Sequence, residues 1–244
     1  IFFFSVLDNI NNILNKFDEA VKNFNNILKI NPNFSDAHYN LGIIYKNLNN
    51  LDESIKHYKK CIKINPSKFE AYNNLGNIYR DNRKTEIAIK NYLHCLEINP
   101  NYQIALQNFG VCLKNFKFSQ YSNIIEKHII NLLNENNILR PVDIIHNLIN
   151  FILLNKKYAL IIEEFNNKKI YASLDVLIND FLNIKILIKL LNLTPITNIK
   201  IENTLKHLRK KILLNLSTIQ SRENALELIK SIASQCYINE YIYP

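Results

Sequence analysis

From residue 35 onward the apolar positions fall at helical spacing, and the whole pattern then repeats as a block. Ala37, Leu41, Ile44 and Tyr45 mark one stripe, and Ile55, Tyr58 and Ile62 mark a second. Such spacing puts each set on one face of a helix. The pattern predicts a helix over 35–47, a turn at 47–50 and a helix over 51–64. Ser35 is the expected N-cap of the first, and Asn50 with Glu53 forms a capping pair for the second. The next block repeats the logic with Leu75, Ile78 and Tyr79, a turn at 81–84, then Ile87, Ala88, Tyr92, Cys95 and Ile98. Asparagine-proline pairs at 31/32, 65/66 and 99/100 close the blocks at a spacing of 34 residues. Proline ends each helix because it disfavours a helical residue before it. A fixed period of this length predicts a solenoid of antiparallel helix pairs.

The array is expected over residues 1–118, with a degenerate or truncated copy at 1–34, full copies at 35–68 and 69–102, and a partial copy from 103 to 118. In the first copy Leu7 stands where Leu41 and Leu75 stand, and Asp8 replaces the glycine that follows them. Glycine occurs only at 42, 76 and 110, once per unit. Each is expected where two helices cross closely, because a side chain there would push them apart. Repetition stops near 118, since Glu126 occupies the position of Phe24, Tyr58 and Tyr92. Residues 119–244 read as a further helical region outside the repeat, with stretches near 119–134, 142–155, 158–166, 171–192, 200–217 and 222–240. The expected fold class is all-α. The opening IFFFSVL has no basic flank and is too short to span a bilayer, so we expect a fragment that begins inside a repeat. The apolar run 148–163 is interrupted by Asn150, Asn155, Lys156 and Lys157, and no transmembrane helix is expected. The aromatics of the closing YINEYIYP are expected to be buried.

Composition changes this picture little. The formal charge of +9 would suit a nucleic acid or an anionic membrane. Lysines wetting the outer faces of helices account for it, so neither partner is expected. The cationic cluster Lys206, Arg209, Lys210 and Lys211 is read the same way. Cys61 and Cys95 share one repeat position and are expected to be buried thiols. With Cys112 and Cys236 they form neither a zinc pattern nor a disulfide framework, and this usage fits a reducing, cytoplasmic setting.

The block pattern resembles the tetratricopeptide repeat. Its characteristic positions are Leu41, Gly42, Tyr45, Ser54, Tyr58, Cys61 and Pro66, and again Leu75, Gly76, Tyr79, Ala88, Tyr92, Cys95 and Pro100. The resemblance implies a right-handed superhelix whose first helices line a concave groove that binds a peptide or a partner protein. Groove-facing positions would include Asp36, Tyr39, Asn40, Ile43, Glu70, Asn73, Asn74, Asn77, Gln107, Asn108 and Val111. Asn40, Asn74 and Asn108 share one repeat position and resemble the asparagine ladder by which the O-linked N-acetylglucosamine transferase type holds a peptide backbone. A carboxamide both donates and accepts, so it can read a main chain whatever the side chains. The same asparagines would alternatively support neighbouring helices. The lysine pattern of a carboxylate clamp is missing, with Tyr39 and Asn73 at the positions where lysine would help. Further on, LRKKILLNL (208–216) and ALELIKSIASQCYINEYIYP (225–244) resemble the linker of bacterial proteins that join these repeats to a class I S-adenosylmethionine-dependent methyltransferase. That second resemblance implies a non-catalytic, substrate-recruiting part of a larger enzyme.

No chemistry is expected in the chain itself. The six histidines make no HxxxH pair, and His94 with Glu97, an HxxE spacing of two groups only, is not read as a metal site. Glu163 and Glu164 point apart on a helix, and Asp175 and Asp180 are off the i,i+4 spacing. The absence of glycine after 110 argues against a phosphate loop or a methyl-donor site. No catalytic residue, metal or cofactor is therefore predicted, and the expected role is a scaffold for protein interaction.

Overall fold

The computed structural model describes residues 2–135, 140–166, 174–193, 198–215, 219 and 222–242. Side chains of 2–15, 164–166, 174, 199–200, 222 and 234–242 lie outside that description, and with them Leu7, Asp8, Cys236 and the closing aromatics. All the regular elements among the described residues are helices. Internal contacts divide the chain into two compact units, 1–109 and 110–244.

The first unit contains α1 (Phe2–Ile30), α2 (Ser35–Asn47), α3 (Leu51–Ile64), α4 (Phe69–Asp81), α5 (Thr85–Ile98) and the start of α6 (Gln103–Leu113). Helices α2 and α3 pack as one pair and α4 and α5 as the next. The turns fall where the polarity pattern places them, and each carries one residue in the left-handed region, Asn49 at φ 57° and Arg83 at φ 58°. Asn50 Oδ1 accepts from the Glu53 N–H at 3.3 Å, which caps α3. The reciprocal half of a capping box is not made, because Glu53 turns to Lys56 Nζ at 2.8 Å. Ser35 is not the cap of α2. The helix begins at Ser35 and Phe34 takes the cap position without a side-chain bond. The chain enters that helix from an Asn-Pro turn closed by its own asparagine: Asn31 Oδ1 accepts from the Asn33 N–H at 3.1 Å. Asn65 Oδ1 does the same for Ser67, also at 3.1 Å.

What locks each pair is a tyrosine laid on a glycine. Tyr58 and Tyr92 are fully buried. A Cβ built on Gly42 would lie 2.6 Å from Tyr58 Cε1, and one on Gly76 would lie 2.5 Å from Tyr92 Cε1. Those distances are far inside van der Waals contact, so the bare Cα is a packing requirement. Ser54 adds a hydrogen bond from its hydroxyl to the Gly42 carbonyl at 2.6 Å. Cys61, Ala71, Leu75 and Ile78 form one buried cluster with Tyr58, and Leu41 and Cys95 are buried as well. Burying a leucine of this kind stabilises by roughly 1.5–3 kcal/mol. Burial pushes the Cys61 thiol up to about 11 and the Cys95 thiol up to about 12, so both stay protonated and act as small apolar groups.

A second tie joins α2 to α3. The buried rings of His38 and His57 meet Nδ1 to Nδ1 at 2.9 Å. His38 Nε2 lies 3.3 Å from the Pro32 carbonyl, which can only accept, so His38 carries its proton on Nε2. Its Nδ1 is then the acceptor and His57 Nδ1 the donor. His57 Nε2 lies 3.8 Å from Glu53 Oε2, and the ring stacks on Tyr45.

The first copy departs from expectation. α1 runs without a break through 13–16, where the repeat register places a turn. The second unit follows no period. It contains the end of α6, then α7 (Asn123–Asn134), a 3-10 turn at Pro141–Asp143, α8 (Ile145–Leu153), α9 (Lys156–Asn166), α10 (Leu174–Leu182), α11 (Lys185–Leu193), α12 (Ile199–Leu214) and α13 (Arg222–Ile242). Of the stretch expected as one helix over 171–192, residues 171–173 lie outside the described residues and the rest is two helices, because the connection at 183–184 breaks the ladder and buries Ile184 completely. Ser122 caps α7 and Asn198 caps α12. Glu126, standing at the tyrosine position, is buried and accepts through Oε2 from the hydroxyls of Tyr121 and Tyr158. A carboxylate served by two phenols thus replaces the ring-on-glycine contact at the repeat position where the pattern ends.

Gly42→Ala gains about 1 kcal/mol of helix propensity. It also drives a methyl into a ring that has nowhere to move, and overpacking of this kind costs roughly 1–3 kcal/mol. We expect net destabilisation in urea unfolding, reversing to neutral or stabilising when Tyr58→Leu is the background. For the histidine pair, burial first and then the neighbouring His38 hold His57 down to about 4, against 6.5 in an open chain. The folded state therefore binds fewer protons, and its stability is full above pH 6.5 and falls as pH drops towards 4. The loss is on the order of 3 kcal/mol. His57→Gln should flatten that slope in urea titrations run at neutral and acid pH.

Candidate functional site

The first helices α2 and α4 and the start of α6 carry the residues singled out as groove-lining. Each leaves its pair with one face away from the Gly-Tyr contact, and the positions two, five, six and nine residues into a unit fall on that face. Tyr39, Asn40, Ile43, Glu70, Asn74, Asn77 and Asn108 are half-buried, and Asp36 and Gln107 are exposed. Asn73 is buried at 4% exposure and has no open face to offer. Val111 is exposed on α6 but belongs to the second unit.

The three asparagines of the shared repeat position are not equivalent. Asn74 Nδ2 donates to the Tyr39 hydroxyl at 3.4 Å and to the Tyr58 hydroxyl at 3.3 Å. Asn108 Nδ2 donates to Asn73 Oδ1 at 3.1 Å, and Asn108 Oδ1 accepts from the Arg80 guanidinium at 2.7 Å. The two contacts obey one rule: the asparagine of each unit reaches back to the residue before the asparagine of the unit ahead, Tyr39 in one case and Asn73 in the other. They tie successive first helices together. Asn40 makes no hydrogen bond among the described residues. Asn77 Oδ1 accepts from the Tyr92 hydroxyl at 2.8 Å, which turns its amide donors outward. Among the described residues the unspent capacity is therefore both ends of Asn40, Oδ1 of Asn74 and the Nδ2 group of Asn77.

Charge is set at one end of these helices. Lys68 pairs with Asp36 at 3.1 Å and lies over the Tyr39 ring at 4.9 Å. Its ammonium is held above the usual lysine range, chiefly by the bond to Asp36. Burial, then Glu70, raises the Tyr39 hydroxyl, so it remains a neutral donor and acceptor. Phe69 and Tyr102 meet edge to face at 5.0 Å beside this cluster. At the other end Arg80 is shared between Asp81 and Asn108. The surface is amide-rich and aromatic, with its cations engaged. Among the described residues no group of three His, Cys, Asp or Glu side chains could hold a metal, and no helix is long and apolar enough to cross a membrane.

The back-reaching bonds of Asn74 and Asn108 could not be seen in the sequence pattern as contacts, although both partners sit at fixed repeat positions. The Asn77–Tyr92 bond was hidden for the same reason, since the tyrosine belongs to the other helix of the pair.

Comparison with known proteins bears on the first unit. The tetratricopeptide repeat family model matches residues 35–68 and 69–102, and a second model described as TPR repeat matches 9–49. No curated protein matches. Among solved structures, the chain is similar to the crystal structure of MamA at 14% identity and a TM-score of 0.40, over 95% of each chain. It is also similar to YrrB, described as a TPR protein with an unusual peptide-binding site, at 13% identity and a TM-score of 0.36, over 89% of this chain and 97% of that one. Likenesses this loose decide neither the shape of the array nor its site. The matches bring no support for the methyltransferase linker expected from residues 208–244. With helix pairs of 34-residue period, glycine under tyrosine and Asn-Pro stops, residues 35–68 and 69–102 have the tetratricopeptide-repeat fold, within an all-α chain that continues into further helices.

Proposed function

We propose that the chain is an interaction scaffold that holds an extended segment of a partner protein against α2 and α4. The observation that carries this reading is the set of amide groups left unspent by the fold: Asn40 entire, Asn74 Oδ1 and Asn77 Nδ2. A partner main chain offers alternating N–H and C=O groups, and these amides supply both complements without regard to its side chains. Tyr39 and Ile43, half-buried beside them, would take apolar contact. Asn108 enters the proposal as a support. Its two bonds hold α4 and the start of α6 in register, and it has little left to give to a ligand.

A displayed library of linear peptides, selected on the immobilised chain, provides the probe. Peptides so obtained should bind Asn40→Ala and Asn77→Ala at least roughly fivefold more weakly, about the net worth of one hydrogen bond each. The melting temperature of Asn40→Ala should stay close to wild type, whereas Asn77→Ala, which also takes the acceptor from the Tyr92 hydroxyl, should lose about 1 kcal/mol of stability. Asn108→Ala should leave peptide binding little changed and lower stability by about 1–2 kcal/mol, since it takes the donor from Oδ1 of the buried Asn73. Selected peptides that bind all three variants as they bind wild type would contradict the groove assignment.

A further inference from the structure

Helix α1 shows an unfilled place in the repeat. Its second half is in register with α3 and α5: Ala20 with Ser54, Phe24 with Tyr58 and Tyr92, Ile27 with Cys61 and Cys95. In the complete units these positions are sealed, with Ser54, both tyrosines and both cysteines at 0% exposure. In α1 they are not. Ile27 is 38% exposed, and Phe17, Ala20, Val21, Phe24 and Leu28 are only half-buried. α1 packs against α2 as α3 packs against α4. What it lacks is the first helix of its own unit, the element that covers α3 and α5. The residues in register with that element are 2–13, and they continue straight on as the first part of α1.

We propose that α1 pairs antiparallel with the α1 of a second copy, each copy supplying the covering helix that the other lacks. The complete units give the template, because the covering helix there runs antiparallel to the helix it covers. Two straight helices of about 43 Å related by a two-fold axis meet the same condition, with residues 2–13 of each beside 17–28 of the other. The position of Asp8 explains why the pairing is between copies. In α2 and α4 its equivalent is glycine, and any Cβ there strikes the ring opposite. A hairpin closed within one chain is held at that spacing by its short turn. Two separate helices have no turn between them and can stand further apart. This is an exchange of identical elements between protomers, a low-cost route to an isologous dimer.

The test is disulfide trapping in the full chain with Asp8→Cys and Ala20→Cys combined, positions equivalent to the Gly42–Ser54 contact. On one straight helix they lie about 18 Å apart, beyond the reach of a disulfide. Oxidation should give a covalent dimer on a non-reducing gel, with neither single variant doing so. Light scattering on the wild type should show twice the chain mass at high concentration. Phe24→Asp should weaken the dimer roughly thirtyfold, the effect of losing a buried aromatic anchor, while circular dichroism keeps its helical signal. An intrachain disulfide, showing α1 folded back on itself, or no disulfide together with a monomer mass at all concentrations, would overturn the proposal.

Discussion

The contact between tyrosine ring and glycine Cα is the constraint from which the first unit follows. It sets how closely the two helices of a pair approach, and so fixes which residues of the first helix are interior. Once Tyr58 lies on Gly42 and Tyr92 on Gly76, the positions on the far side of α2 and α4 are committed to a second surface. That surface carries the asparagines. The fold therefore does more than tolerate polar residues there: it aligns them at one point in each unit. Where the constraint is missing, the structure changes. Asp8 stands in for glycine and α1 runs straight. Glu126 stands in for tyrosine and is met by two phenols, and the helices after it keep no period.

Hydrogen bonding then divides the amides into those satisfied within the fold and those left unspent among the described residues. A buried carboxamide left unpaired is costly, so those closest to neighbouring units are satisfied within the protein. Asn74 and Asn108 spend their donors on the preceding unit, and Asn108 also receives the Arg80 guanidinium. Asn40 makes no such bond among the described residues; the position it would reach by the same rule is residue 5, whose side chain lies outside them.

Much of this was legible in the sequence because it is local. Asn-Pro stops, turn positions and the glycine of the helix crossing are each fixed within a few residues, and the structure places them where the pattern does. Ser35 misled as a cap because the Asn-Pro turn before it delivers Phe34 to that position instead. The break at 183–184 could not be read from an apolar run whose helical spacing continues through it. At the site, the sequence marked the shared repeat position of Asn40, Asn74 and Asn108 but not their unequal hydrogen bonds. Those depend on side chains one unit away and on Tyr58 and Tyr92 across the pair. The sequence did flag Glu126 as the point of departure, though not the tyrosines that satisfy it.

The proposed scaffold role requires the unspent amides to read a main chain. Side-chain amide resonances of Asn40, Asn77 and Asn108, followed by NMR while a library-selected linear peptide is titrated, test it most directly. The predicted result is large, saturable shifts for Asn40 and Asn77, with Asn108 nearly still because Arg80 and Asn73 hold it. Shifts confined to amides of the second unit, such as Asn147 or Asn224, with Asn40 and Asn77 unmoved, would contradict it.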